Sequence, residues 1–226
     1  MKRIAVLQHT EAEYLGLMED HFEGRNIRFQ YFRPFASGGI VPPGVGSFDG
    51  LIVLGAGPYG VVSGHILPSL GPELRLTRAF LDAGLPVLGF GLGAVILAVA
   101  AGGGADEAPL RFTIETAHPN APEMDAVGTF PLACYLRDSF VLPPDAKILC
   151  QSDAGAPLVF SVRENSLGFL GHPGMKRGMA EDLIMEFAEA PGETLLSLQR
   201  LGTAQAGIAE ALTALMVATI ARCGWM

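Results

Sequence analysis

The chain has 226 residues, of which 50% are hydrophobic and only 17% charged, and its formal net charge is −8. That length and apolar content suit a folded unit whose core needs neither disulfides nor a structural metal. The acidic balance, with no basic stripe, argues against a nucleic-acid partner. The 29 glycines and 16 prolines exclude a coiled coil and point to a sheet punctuated by tight loops.

Met1-Lys2-Arg3 leads straight into the apolar run Ile4 to Leu7, without the longer apolar core of a signal peptide, and the run reads as a buried strand. Glu11 to Phe22 has helical spacing, with Tyr14, Leu15, Met18 and Phe22 on one face. Ile27 to Phe32 is a second strand, Ser37 to Ser47 a Gly/Pro-rich loop, and Leu51 to Leu54 a third strand closed by Gly55-Ala56-Gly57-Pro58. A helix is expected over Glu73 to Ala83, a strand over Pro86 to Phe90 and an apolar helix over Ala94 to Ala101. Apolar strands alternating with helices imply a parallel sheet covered on both faces.

The second half reads as strands at Leu110 to Thr116, Ala146 to Cys150, Leu158 to Val162 and Leu167 to Leu170, then a helix over Arg177 to Ala188. The tail from Glu193 to Met226 reads as one or two helices. Its stripe of Ile208, Leu212, Leu215, Met216 and Ile220 is suited to packing on the rest of the chain. Its apolar part, Ala204 to Ala221, is judged too polar and too short for a membrane span. These elements give an α/β fold of flavodoxin-like layout with an antiparallel extension. The expected organisation is a domain over residues 1–190 and a helical extension over 191–226 packed on it.

The three cysteines, Cys134, Cys150 and Cys223, are widely spaced, with no CxxC and no Cys/His pair at ligand spacing. No metal and no other cofactor is expected, and reduced thiols fit a cytoplasmic protein. His9, His21, His65 and His118 also lack ligand spacing and are expected on the surface or in loops.

Pro86-Val87-Leu88-Gly89-Phe90-Gly91-Leu92-Gly93-Ala94-Val95 combines a strand, a sharp glycine turn and a helix start. Such an elbow holds its apex residue beside a helix N-terminus, where the dipole and free N–H groups favour a thiolate and an oxyanion. Here the apex, Gly91, has no side chain.

The chain resembles the class I glutamine amidotransferases, nearest to stand-alone proteins that resemble the amidotransferase domain of GMP synthase. The family's elbow reads approximately PVLGICLGAQLLA, against PVLGFGLGAVILA here. Phe48 to Pro58 resembles YDGLIVLGGP, Phe140 to Leu149 resembles TFDLPPGAxLL, and Gly168 to Gly174 resembles GLQFHPE. The four matches occur in family order and span about residues 3 to 188.

The resemblance implies a Cys-His-Glu triad acting on the glutamine side-chain amide. Position by position, His172 retains the histidine, Gly91 replaces the cysteine and Gly174 replaces the glutamate. Val95 replaces the glutamine that helps hold substrate, and Asp138 alone remains of the family's HGD segment. Gly55, Ala56 and Gly57 occupy the family's oxyanion loop, where backbone N–H groups could bind an anion.

No catalytic residue is therefore expected. The candidate ligand pocket comprises Gly55, Ala56, Gly57, Leu92, Val95 and Asp138, although Arg137-Asp138 reads first as an ordinary exposed charge pair. His172 is expected to be a satisfied remnant. The preferred reading is a non-catalytic amidotransferase-like protein serving as partner subunit to a synthetase or other enzyme, or binding a small molecule. The alternatives are reassigned chemistry in the same cleft and a purely structural subunit. Oligomeric state is left open. Restoring activity is expected to need at least Gly91→Cys, Val95→Gln and Gly174→Glu together.

Overall fold

Continuous apolar runs with no polar alternation become strands buried on both faces. Ile4 to Leu7 are 0% exposed, and the runs Leu51–Leu54 and Val87–Phe90 are buried throughout. The computed structural model describes residues 1–226. Its strands are β1 (Arg3–Leu7), β2 (Arg28–Phe32), β3 (Gly50–Val53), β4 (Val87–Phe90), β5 (Gly104–Asp106), β6 (Arg111–Pro119), β7 (Phe130–Leu136), β8 (Ser139–Val141), β9 (Lys147–Gln151), β10 (Pro157–Val162) and β11 (Ser166–Phe169). The helices are α1 (Met18–Glu23), α2 (Leu70–Asp82), α3 (Leu92–Ala100), α4 (Arg177–Glu186) and α5 (Thr194–Arg222).

Nine strands form one sheet in the order β2-β1-β3-β4-β11-β10-β9-β6-β7, and β5 pairs separately with β8. The β2-β1-β3-β4-β11 half is parallel, and the strands from β11 onward to β7 are antiparallel. This is the expected α/β architecture. Its most consequential pairing is β4 with β11, Phe90 opposite Phe169. Both strands end at the same edge, so the turn after β4 and the segment after β11 meet.

The long helix expected over Glu11 to Phe22 is not there; only Met18–Glu23 is helical. Gly16 takes φ +63°, which breaks the periodicity. Tertiary hydrogen bonds replace helical ones: Leu17 N–H donates to the Gly174 carbonyl at 3.0 Å and Leu15 N–H to the Tyr31 hydroxyl at 3.0 Å. Residues 9–17 are thereby laid across the ends of the parallel strands.

Strand β7 escapes sequence reading because Pro131 interrupts its pattern. Proline is tolerated there because β7 is an edge strand of the sheet. The tail is a single 29-residue helix, α5, not a short one. By length and composition alone it could cross a membrane. Its stripe of Ile208, Leu212, Leu215, Met216 and Ile220 is instead buried, and the helix packs on β6, β7, α4 and α1.

Candidate functional site

The junction between β4 and α3 is built by glycines. Gly91 has φ 55° and ψ −120°, values that a residue with a side chain seldom adopts, and α3 begins at the next residue. Its N–H donates to the Phe169 carbonyl at 3.0 Å, tying the turn to β11. A Cβ on Gly93 would lie 2.0 Å from the Val53 carbonyl oxygen, so α3 packs on β3 only because that position is bare. Gly91 is different. A Cβ there would meet nothing nearer than the Gly55 Cα at 3.5 Å, the Tyr135 carbonyl oxygen at 3.7 Å and Glu13 Oε1 at 3.8 Å. The space beside Gly91 would thus admit a Cβ, so crowding does not require a glycine there.

His172 lies just past β11, its ring 5.7 Å from that of Phe90. Its Nδ1 accepts the Gly174 N–H at 3.1 Å, which places the ring proton on Nε2, and Nε2 donates to the Tyr14 carbonyl at 2.7 Å. Both nitrogens are therefore engaged by backbone. Burial depresses the pKa to about 4, so the imidazole is neutral near pH 7 and has no free nitrogen with which to take a proton. Gly174, the position expected to replace a glutamate, leaves little space for a side chain. A Cβ would lie 3.0 Å from both the Leu15 carbonyl oxygen and Met18 Cγ, and 3.2 Å from Leu17 N.

The glycine loop already holds a carboxylate. Glu13 is 1% exposed and accepts the Gly57 N–H on Oε2 at 3.2 Å. Its Oε1 stands 1.8 Å from where a Gly55 Cβ would be, so the carboxylate lies flat on that loop. Burial pushes its pKa up to about 7, against the opposing pull of the Gly57 N–H and the nearby charge of His9. Tyr135, 2% exposed, packs beside this site in a cluster with Ala12, Phe112 and Met175, and its hydroxyl has no hydrogen-bond partner.

Below the loop sits a second buried pair. His9 Nδ1 is 2.9 Å from the Gly55 carbonyl and Nε2 is 2.9 Å from Glu73 Oε2, while Ser69 donates its hydroxyl to the other Glu73 oxygen. Both ring nitrogens face acceptors, which favours the imidazolium. Burial works against that charge, but Glu73 and the Gly55 carbonyl outweigh it and raise the pKa. His9 lies in the loop after β1, as its spacing suggested, but not on the surface; it is 3% exposed because Glu73 satisfies it.

The other expected residues fall as follows. Of the loop residues, Gly55 approaches Gly91, its Cα 3.5 Å from where a Gly91 Cβ would lie, whereas Gly57 faces Phe187 and Leu183. Leu92 and Val95 are 0% exposed on α3 and belong to the core. Asp138 is not an exposed charge: it is 0% exposed, takes φ 63°, and accepts the N–H groups of Val61 and Val62 at 2.7 and 2.8 Å together with the Ser63 hydroxyl. Burial alone would raise its pKa, yet these donors hold the carboxyl below its ordinary value. Its acceptor capacity is committed to fixing the loop after Tyr59. Cys134 and Cys150 lie buried on β7 and β9, each thiol pushed up to about 12 by burial, which disfavours the thiolate that a nucleophile needs.

Glu13, His9 and Glu73 were not foreseen as site residues. The available signal was a group of polar residues directly after the first parallel strand, since the carboxyl ends of such strands are where sites form.

No protein-family model matches the sequence, and no curated protein matches it significantly. Solved structures do. A glutamine amidotransferase from Methylobacillus flagellatus superposes with a TM-score of 0.82 at 22% identity, over 98% of this chain and 95% of that one. A glutamine amidotransferase from Thermotoga maritima gives 0.72 at 21% identity, over 96% and 98%. A Thermoplasma acidophilum protein assigned as a GMP synthase subunit gives 0.57 at 14% identity, over 91% and 98%. The chain therefore has the α/β fold of the solved glutamine amidotransferases, its large sheet parallel through the core and flanked by helices.

Proposed function

We propose that this protein is a non-catalytic member of the amidotransferase fold that serves another enzyme as its partner subunit. The observation that carries the reading is the pairing of Gly91 with Glu13: the turn offers no nucleophile, and one backbone donor of the adjoining loop, the Gly57 N–H, is engaged by the chain's own carboxyl group. Glutamine would have to displace Glu13, and its amide carbon would then meet no sulfur.

The occupied loop also disfavours a small ligand in this cleft, which leaves docking on an enzyme as the better-supported role. A structural neighbour assigned as a GMP synthase subunit makes a synthetase the first partner to consider. Reassigned acid–base chemistry has one observation in its favour, the Glu13 pKa near 7, but the carboxylate is sealed from solvent.

The test has two parts. Purified protein is assayed for ammonia release from glutamine, where turnover of roughly one per second, the low end for typical enzymes, refutes the reading. Tagged protein is then isolated from its native cell and any co-purifying enzyme is assayed with and without it. An enzyme whose activity does not change refutes the partner role.

A further inference from the structure

A cavity of about 220 Å³ lies between the C-terminal end of α5 and strands β9 to β11. Met124, Leu149, Val159, Leu167, Phe169 and Ala218 make most of its walls apolar, and Glu123, Thr219 and Arg222 form its polar end. A cavity of about 150 Å³ with such walls suffices for benzene.

Arg222, the last residue of α5, lines this cavity and also the adjoining polar groove formed by Asp145, Lys147, Arg163, Glu164 and Asn165. Its guanidinium is poorly satisfied. One terminal nitrogen reaches Ser161 Oγ at 3.1 Å, the other reaches Glu123 Oε1 only at 3.5 Å, and the buried Nε–H has no partner. Leaving such a donor unpaired is unfavourable, and a guanidinium prefers a bidentate carboxylate.

We infer that this cavity is a binding site for a small monocarboxylate with one aromatic ring or a short branched tail, the tail in the apolar space and the carboxylate on Arg222. Lys147 and Arg163 add positive charge in the groove, while Asp145 and Glu164 oppose it. Glu123 competes for the same guanidinium.

The test is titration calorimetry with phenylacetate, benzyl alcohol serving as the uncharged counterpart. Wild-type protein is expected to bind phenylacetate with millimolar or better affinity. Arg222→Gln is expected to weaken phenylacetate by at least about 10-fold, the loss of one charge-assisted contact, while changing benzyl alcohol much less. Ala218→Leu, which fills the cavity, is expected to abolish both. Glu123→Gln, at a half-exposed position, is expected to tighten phenylacetate several-fold by removing the competitor, an effect a merely structural Arg222 would not produce. Absence of phenylacetate binding to wild type, or an affinity unmoved by Glu123→Gln and Ala218→Leu, overturns the inference.

Discussion

Gly57 donates its backbone N–H to the Glu13 carboxyl group at 3.2 Å, so a side chain of the protein itself occupies the glycine loop. Neither residue is informative alone. Together they mean that the Gly57 donor is satisfied in the free protein, and that a ligand using it must first displace Glu13.

The contact predicts the effect of adding one methyl group. Gly55 has no unusual φ, yet its Cβ would meet Glu13 Oε1 at 1.8 Å and Cδ at 2.4 Å. Gly55→Ala is expected to destabilise the protein by about 1–3 kcal/mol, the range for overpacking. In a Glu13→Ala background the same substitution should be nearly neutral. Thermal or urea melts of the four proteins give the cycle; a penalty that persists without Glu13 contradicts the placement of the carboxylate.

Two buried groups give opposing pH dependences. Glu13 keeps its proton up to about pH 7 when folded but loses it near 4.5 when unfolded, so stability falls as pH rises across that window. Unfolded His172 gains a proton below about 6.5, whereas the folded ring resists until about 4, so stability falls as pH drops across that window. Each effect is worth roughly 3 kcal/mol at about 1.36 kcal/mol per pH unit, and they largely cancel in the wild type. Glu13→Gln is expected to stabilise the protein by about 1–3 kcal/mol at pH 8 and to expose the acid-side loss from His172. Denaturant melts from pH 4 to 8 check both; parallel curves for the two proteins would refute the assignment.

Restoring the thiol should restore chemistry only in the weak sense. There is space for a Cβ at Gly91, so Gly91→Cys is expected to fold and to react with iodoacetamide, but not to hydrolyse glutamine, since His172 has both nitrogens engaged by Tyr14 and Gly174. The triple change with Val95→Gln and Gly174→Glu, which from sequence is the smallest set with a chance of activity, is expected to fail too. Its Glu side chain would meet the backbone of Leu15 and Leu17, and its Gln would be buried in the core. Ammonia release by either variant at a family-like rate contradicts this.

Asp138 offers a test of loop construction. Asp138→Ala removes the acceptor shared by the Val61, Val62 and Ser63 N–H groups, and its left-handed φ adds strain for alanine. A loss of about 2–4 kcal/mol is expected, since an unpaired donor is worth about 1–3 when buried and less where water reaches it. Hydrogen exchange at residues 61–63 should rise well above that of the sheet.

Composition and pattern determined the parts of this protein that depend on local chemistry. Uninterrupted apolar runs become doubly buried strands, the glycines at 89, 91 and 93 make a tight strand-to-helix turn, and Gly91 lacks a nucleophile whatever surrounds it. Only the tertiary structure decided the rest, because it depends on which groups meet. Helical spacing in Glu11 to Leu17 lost to the hydrogen bonds that Leu15 and Leu17 donate to Tyr31 and Gly174 and that Tyr14 accepts from His172, 158 residues away in the chain. Pro131 concealed β7, whose edge position makes a missing N–H harmless. Asp138 reads as a surface charge until three backbone donors from 75 or more residues away converge on it. Glu13 and His9 carry no motif; burial raises the titration of the first and the Glu73 carboxylate that of the second, and both are set by the whole sheet and the loops laid over it.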